Sequence, residues 1–310
     1  MRRPTRKSQK PPARPTPRTR RKTHTPQMSL AAARRLGLLL LWGGSLAAVA
    51  YGLHRLEPLA LQAQGDGPWE LHWVDVPTSI DELVLDEIKA EAERLGPRPL
   101  FGAELRTPTL CADLKAALEA SPWIAEVWRV SKQADGVVRV EARFREWLTY
   151  VVRNDMGHLV DSEGVRLPRQ AGAAYLPPVE SNVILVEGVT SRVPAVGVAW
   201  EDRAVHAGLE LVKYLHASLP PGLRDSIRAV DVANYENRLN ARDGWLRLRT
   251  IHPGQYISWG LPPGQEYDIE SSAQRKVEAL WALYRQHGQL PDFEGLDVRD
   301  KHSVLHRVSP

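Results

Sequence analysis

The sequence predicts an α+β protein: a single transmembrane helix, a small β-α-α-β-β module, and a mainly antiparallel β-domain with two helices. Three observations predict it. Residues 36–53 (LGLLLLWGGSLAAVAYGL) run eighteen positions without a charge. Charge divides around them: residues 1–35 hold twelve Lys/Arg and no Asp or Glu, leaving 29 basic against 37 acidic residues beyond, a balance of −8. After residue 68, two stretches of helical apolar spacing give way to a succession of short alternating runs separated by turn residues.

At about 1.5 Å of rise per residue, the uncharged segment spans roughly 27 Å, near the ~30 Å hydrocarbon core of a bilayer. Leu36, Leu40, Trp42, Leu46, Val49 and Leu53 carry this anchor, set within a helix over 34–54. The cationic flank holds the N-terminus in the cytoplasm and puts the last 257 residues across the membrane. A cleavable signal peptide is one rival, because Ala48-Val49-Ala50 offers an A-x-A site, yet its basic region is far longer than such peptides carry. Arg34-Arg35 is a poor match to a twin-arginine export signal. A buried core helix is the other rival, but this segment lacks a polar face. Residues 1–33, mostly Arg, Lys, Pro and Thr, cannot bury enough surface to offset ordering entropy and predict a disordered cytoplasmic tail. A flexible polycation neutralises phosphates in general. Beside a membrane helix it reads instead as a topology signal that touches anionic lipid, so no nucleic-acid partner is expected.

Residues 55–68 form a linker, and the module occupies 69–145. A strand fits 69–76 (WELHWVDV). Ser79 with Glu82 makes a capping box, and Ile80, Val84, Ile88, Ala92 and Leu95 recur at helical spacing until Gly96. Thr107-Pro108 opens a second helix with Leu110, Leu114, Ala117 and Leu118 on one face, and Pro122 stops it. Cys111, the single cysteine, sits among these apolar positions as a small buried hydrophobe, so no internal disulfide can form. Strands at 123–131 and 136–145 flank a turn at Ala134-Asp135-Gly136. Two helices then lie on one face of a three-stranded sheet.

The β-domain fills 146–310. Strands 147–153 and 157–160 surround Asn154-Asp155-Met156-Gly157, and Asp161-Ser162-Glu163-Gly164 turns into 165–167. A loop over 168–182 precedes a strand at 183–186. Val205, Leu209, Val212, Leu215 and Leu219 define a helix ended by Pro220-Pro221-Gly222. Strands follow at 227–232, 238–241, 245–251 and 256–259, then a helix over 271–286 carrying Val277, Leu280, Trp281 and Tyr284. The closing strands, 295–300 and 303–308, read as an edge strand or terminal hairpin with nothing later to cover it. Arg299, Asp300, Lys301, His302 and His306 blunt that edge with charge. Leu296, Val298, Val304 and Leu305 keep an apolar alternation that a partner strand can extend.

No catalytic constellation emerges. There is no G-x-S-x-G, H-E-x-x-H or C-x-x-C, and His206 and His216 stand too far apart for a metal pair on one helical turn. Gly43-Gly44 lies in the membrane segment, where close helix packing is its use. Asp161 with Glu163 is a turn sooner than a paired-carboxylate site. The ten Trp read as core and strand-pair aromatics with a few anchors left for a partner surface. No enzyme activity, metal or cofactor is expected. A translocator barrel needs a dozen or so long alternating strands, which the chain lacks.

Five strings, taken in order after one anchor, resemble the FtsQ/DivIB family of bacterial cell-division membrane proteins. They are LKAALEASPWIAEVWRV (114–130), VVRVEARFREWLTYV (137–151), HLVDSEGVRLP (158–168), SWGLPPGQEYDIESSAQRKVEALWALY (258–284) and GLDVRDKHSVL (295–305). Two positions depart from the family pattern: Arg145-Glu146-Trp147 stands where Glu-Arg-x-Pro is frequent, and Asp300 stands where an aromatic is. The resemblance implies that residues 69–145 are a POTRA-like module and that the chain is a non-enzymatic scaffold of the divisome. It implies a single-pass protein of the inner membrane, placed at the septum with its C-terminal domains in the periplasm. It implies FtsB/FtsL-like partners captured by the last strands, which assigns docking to Asp297, Val298 and Arg299 with their neighbours Leu296, Asp300, Val304 and Leu305. Other divisome membrane proteins are expected at the transmembrane helix and the POTRA-like module. The competing class is a membrane-anchored envelope enzyme or ligand-binding protein that borrows such a module.

Overall fold

The computed structural model describes residues 69–96, 100–101, 107–133, 135–172, 183–267, 270–300 and 306–308, together with Val49, Tyr51, Gly52 and His54. By internal contacts the chain divides into a unit over 1–61 and a unit over 62–310. In the first, Val49 is helical and 58% exposed. Leu36, Leu40, Trp42, Leu46 and Leu53 lie outside the described residues, as do the basic tail and the linker. No helix of the described residues is long and apolar enough to cross a membrane.

The second unit carries two sheets, one small and one large. Strand β1 (Glu70–Val74), helices α1 (Glu82–Leu95) and α2 (Leu110–Glu119), and strands β2 (Ile124–Lys132) and β3 (Val137–Phe144) build the first, in the predicted order. Its sheet runs β1-β3-β2, with β1 parallel and β2 antiparallel to β3. The helical faces read from the sequence are the buried ones: Val84, Ile88 and Ala92 on α1, and Leu110, Leu114, Ala117 and Leu118 on α2. Leu95, counted on the α1 face, is exposed. The cap is also one position that the S-x-x-E pattern misses. Asp81, not Ser79, stands at the N-cap and accepts the amide of Val84 at 2.9 Å, because residues 77–80 turn first through a bond from Ile80 N to Pro77 O. Cys111 is half-buried, not fully enclosed.

The large sheet has nine strands in the order β12-β11-β10-β9-β8-β7-β4-β5-β6. They are β4 (Trp147–Arg153), β5 (Met156–Asp161), β6 (Arg166–Gly172), β7 (Leu185–Glu187), β8 (Ile227–Asp231), β9 (Leu246–Thr250), β10 (Tyr256–Gly260), β11 (Gly295–Asp297) and β12 (His306–Val308). Five neighbouring pairs are antiparallel; β4 with β7, β7 with β8, and β10 with β11 are parallel. Helices α3 (Arg203–Ser218) and α5 (Ala273–His287) bury their stripes in its core, and a short α4 (Pro221–Arg224) forms where only a stop was expected. Helix α3 lies close to the sheet at Gly208, where a Cβ would meet methyls of Val186 and Val232 at 2.9 Å.

Three local readings are corrected by the large sheet. The first hairpin turns on two residues, Asn154 and Asp155, both at positive φ, not on four. Strand β6 continues through Pro168, which the register irregularity between His158 and Val160 and the edge position both tolerate. The expected strand at 238–241 does not form. Buried Asn234 takes its hydrogen bonds instead: its Oδ1 accepts the amides of Leu239 and Asn240, and its Nδ2 donates to the carbonyls of Asn240 and Gly244.

The sheets meet across β5 and β6. Leu159 and Leu167 join the core of the small module. Arg145 reaches Asp161 at 2.9 Å and Glu163 at 3.2 Å, and Arg169 lies 5.5 Å over the ring of Trp123. Asp161 also accepts the amides of Glu163 and Val165, so the turn carboxylates are structural ties. Hydrogen bonds from Arg145 and Arg143 hold Glu163 below the usual carboxylate range.

Candidate docking edge

The end of the chain places its residues by strand periodicity. Side chains alternate faces along a strand, so an apolar-polar-apolar-polar run sorts itself. In β11 and the residues after it, Leu296 and Val298 turn into the core at 3% and 5% exposure, while Asp297 and Arg299 lie half-buried on the other side. Strand β10 fixes the register on one flank, with Ile257 against Leu296 and Ser258 against Asp297. On the other flank β12 runs antiparallel, with Leu296 against Arg307 and Asp297 against His306. Strand β12 is the outermost strand at this end of the sheet.

Asp297 and Arg299 form a fork. The guanidinium donates Nε to the carboxylate at 2.9 and 3.1 Å and Nη2 at 2.6 Å, and the Arg299 amide adds a bond of 2.9 Å. The same guanidinium donates to the Arg242 carbonyl at 3.2 Å, tying the loop before β9 to the end of β11. The hydrogen bonds that Arg299 donates to Asp297, opposed by burial, raise the Arg299 pKa above its already high value.

Behind the fork sits a cluster that the sequence reading passed over. Lys276 is completely buried on α5, with Nζ 3.0 Å from Glu270 Oε2 and 5.2 Å from the centre of the Trp259 ring. Burial lowers the Lys276 pKa, and Glu270 opposes the shift. Glu270 Oε2 also accepts the Leu261 amide at 3.0 Å. Next to it, Ser271 donates its amide to the Arg299 carbonyl and its hydroxyl to the Asp300 carbonyl, each at 2.7 Å. Gly260, at φ +95, gives Glu270 room: any Cβ there would collide with the carboxylate. A signal existed. Lys276 falls on the stripe that Ala273, Val277 and Leu280 define, a core position for a charged residue.

The predicted docking residues thus separate into classes. Leu296 and Val298 are buried and belong to the core cluster of the large sheet. Asp297 and Arg299 come together as a pair, and Asp300 is exposed. Val304 and Leu305 lie outside the described residues. What this end offers is the outer main-chain edge of β12. Elsewhere, Trp128 and Trp147 are exposed, whereas Trp69, Trp123, Trp200 and Trp259 are buried. His206 is exposed and His216 half-buried, and no group of three or more His, Cys, Asp or Glu among the described residues is placed to hold a metal ion. No protein-family model matches the chain, and no curated protein does either.

Proposed function

We propose that this chain is a non-enzymatic, single-pass membrane scaffold of the bacterial division machinery, similar to FtsQ/DivIB, and that it captures FtsB/FtsL-like proteins by adding a partner strand to β12. The observation that carries the reading is the position of β12: it ends the large sheet, and a strand at that position presents a row of main-chain donors and acceptors that an extended segment can pair with. The five family-like strings in order, the uncharged segment at 36–53 and the 12:0 charge ratio before it support the same reading. In it, residues 69–145 are the POTRA-like module that helps place the protein at the septum. The basic tail stays in the cytoplasm on anionic lipid.

The test uses the tagged full chain in its own cell. Septal localisation and co-purification of FtsB/FtsL-like proteins are expected, and a reporter fused after Pro310 that works only outside the cytoplasm is expected to be active and membrane-bound. Uniform membrane distribution with no division protein enriched contradicts the proposal. A soluble product beginning at Tyr51 contradicts its anchor.

A further inference from the structure

A buried cation, Lys276, pairs with the residue that precedes the serine clasping the end of β11. Glu270 and Ser271 form one strap: the carboxylate grips the end of β10 at the Leu261 amide, and the serine grips the carbonyls of Arg299 and Asp300 where the chain leaves β11. The only side-chain cation within hydrogen-bond distance of that carboxylate among the described residues is Lys276, at 3.0 Å and without solvent exposure. Glu266 accepts the Ala273 amide at 2.9 Å and so fixes the first turn of α5, from which Lys276 projects. A carboxylate that loses its buried counter-ion turns toward water, and Glu270, already partly exposed, shifts the adjoining Ser271 as it reorients.

We propose that Lys276 is a positioning residue for the docking edge: by pinning Glu270 it sets where Ser271 clasps residues 299–300, and hence how the chain leaves β11. The inference rests on the docking role of β12, but its mechanics do not need a partner to be observed.

Amide hydrogen exchange on the full chain in detergent micelles, without partner, tests it. In Lys276→Met, the amides of Ser271, Val298 and residues 306–308 are expected to exchange at least tenfold faster than in the parent, with β3 of the small module unchanged. Lys276→Arg, which keeps the charge, is expected to restore most of that protection. Ser271→Ala, which removes only the hydroxyl clasp, is expected to give a smaller acceleration at the same amides. Equal acceleration in both sheets, or no recovery in Lys276→Arg, overturns the proposal. If Lys276→Met does not fold, Ser271→Ala decides: unchanged protection at 298 and 306–308 overturns it. A parent chain that captures no FtsB/FtsL-like protein, while its Lys276→Met variant opens locally as expected, refutes the docking reading and leaves the strap standing. Capture through β12 with exchange unmoved by Lys276→Met refutes the strap alone.

Discussion

The two ends of the nine-stranded sheet are finished differently. At one end, β6 is shielded along its start. The loop at 195–200 pairs with it through Arg166 N to Val198 O at 3.1 Å and Gly197 N to Arg166 O at 2.7 Å, and Val165 bridges to Ala199. Pro168 removes a donor farther along, and Arg169 turns toward Glu87 and Trp123 of the small module. At the other end, β12 is followed by no described element that pairs with it. The contrast teaches that this chain protects an edge when it has loops and prolines to spend on it. An edge without those devices is the better candidate for a partner. It also bounds the affinity. Three paired residues supply only a few main-chain hydrogen bonds, worth about 0.5–1.5 kcal/mol net each, so a tight complex also needs side-chain anchors.

The largest expected effect comes from removing β12. Truncation after residue 303 should reduce capture of the FtsB/FtsL-like pair by about a hundredfold or more, which corresponds to roughly 2.7 kcal/mol. The thermal midpoint of the full chain in detergent should fall by only a few degrees. Loss of folding along with capture would make the segment structural and erase the contrast between the edges.

Next in size is the opposite manipulation, uncovering β6. Gly197 has φ +81 and its amide closes the loop onto Arg166. Gly197→Val should cost about 1–3 kcal/mol through backbone strain and loosen that cover. Light scattering should then report concentration-dependent self-association, while capture at β12 stays unchanged. A variant that remains monomeric at every concentration would mean that the loop is not what protects this edge.

An effect of similar size is expected at the fork. Arg299→Ala removes the guanidinium bonds to Asp297 and Arg242, at a cost of about 1–3 kcal/mol for charge-assisted bonds of partly buried groups. Arg299→Lys should recover the charge but not the bidentate geometry, and fall between parent and alanine variant in melting temperature. Equal midpoints for lysine and arginine would show that the fork geometry is unimportant.

The smallest effect is a pH dependence beside the shielded edge. Burial, then the nearby Arg166, lowers the His158 pKa below its ordinary value. As pH falls through the unfolded value of about 6.5, the unfolded chain takes up a proton that the folded chain resists, so stability falls on the acid side. His216 acts in the same sense and Glu187, raised by burial, in the opposite one. His158→Gln should flatten the denaturation midpoint between pH 7 and pH 5, by less than about 1.4 kcal/mol per pH unit. An unchanged slope would place the proton uptake elsewhere.

The legible parts of the fold were those with a local period. The buried faces of α1, α2 and α3 follow from apolar spacing, as do Val277 and Leu280 on α5, and β4 begins and ends where its alternation does. What escaped was set by side-chain and core partners that no local period reveals. A stretch at 238–241 that reads as a strand lost its ladder to the side chain of Asn234, and β6 ran through a proline because it lies on an edge. At the proposed docking edge the alternation of residues 296–299 was legible, but not which side its apolar members serve. That depended on core neighbours brought in by β10 and α5, and they claimed Leu296 and Val298. Lys276 was visible as a charge on an apolar stripe, but its counter-ion Glu270 comes from the loop before the helix.

The two edges can be compared in one experiment on the full chain in living cells. A photoreactive amino acid is placed at position 307, on β12, and separately at position 170, on β6. Docking by strand addition predicts an adduct with an FtsB/FtsL-like protein from 307 and none from 170. An adduct from 170 with none from 307 would contradict it, moving the partner to the shielded end of the sheet.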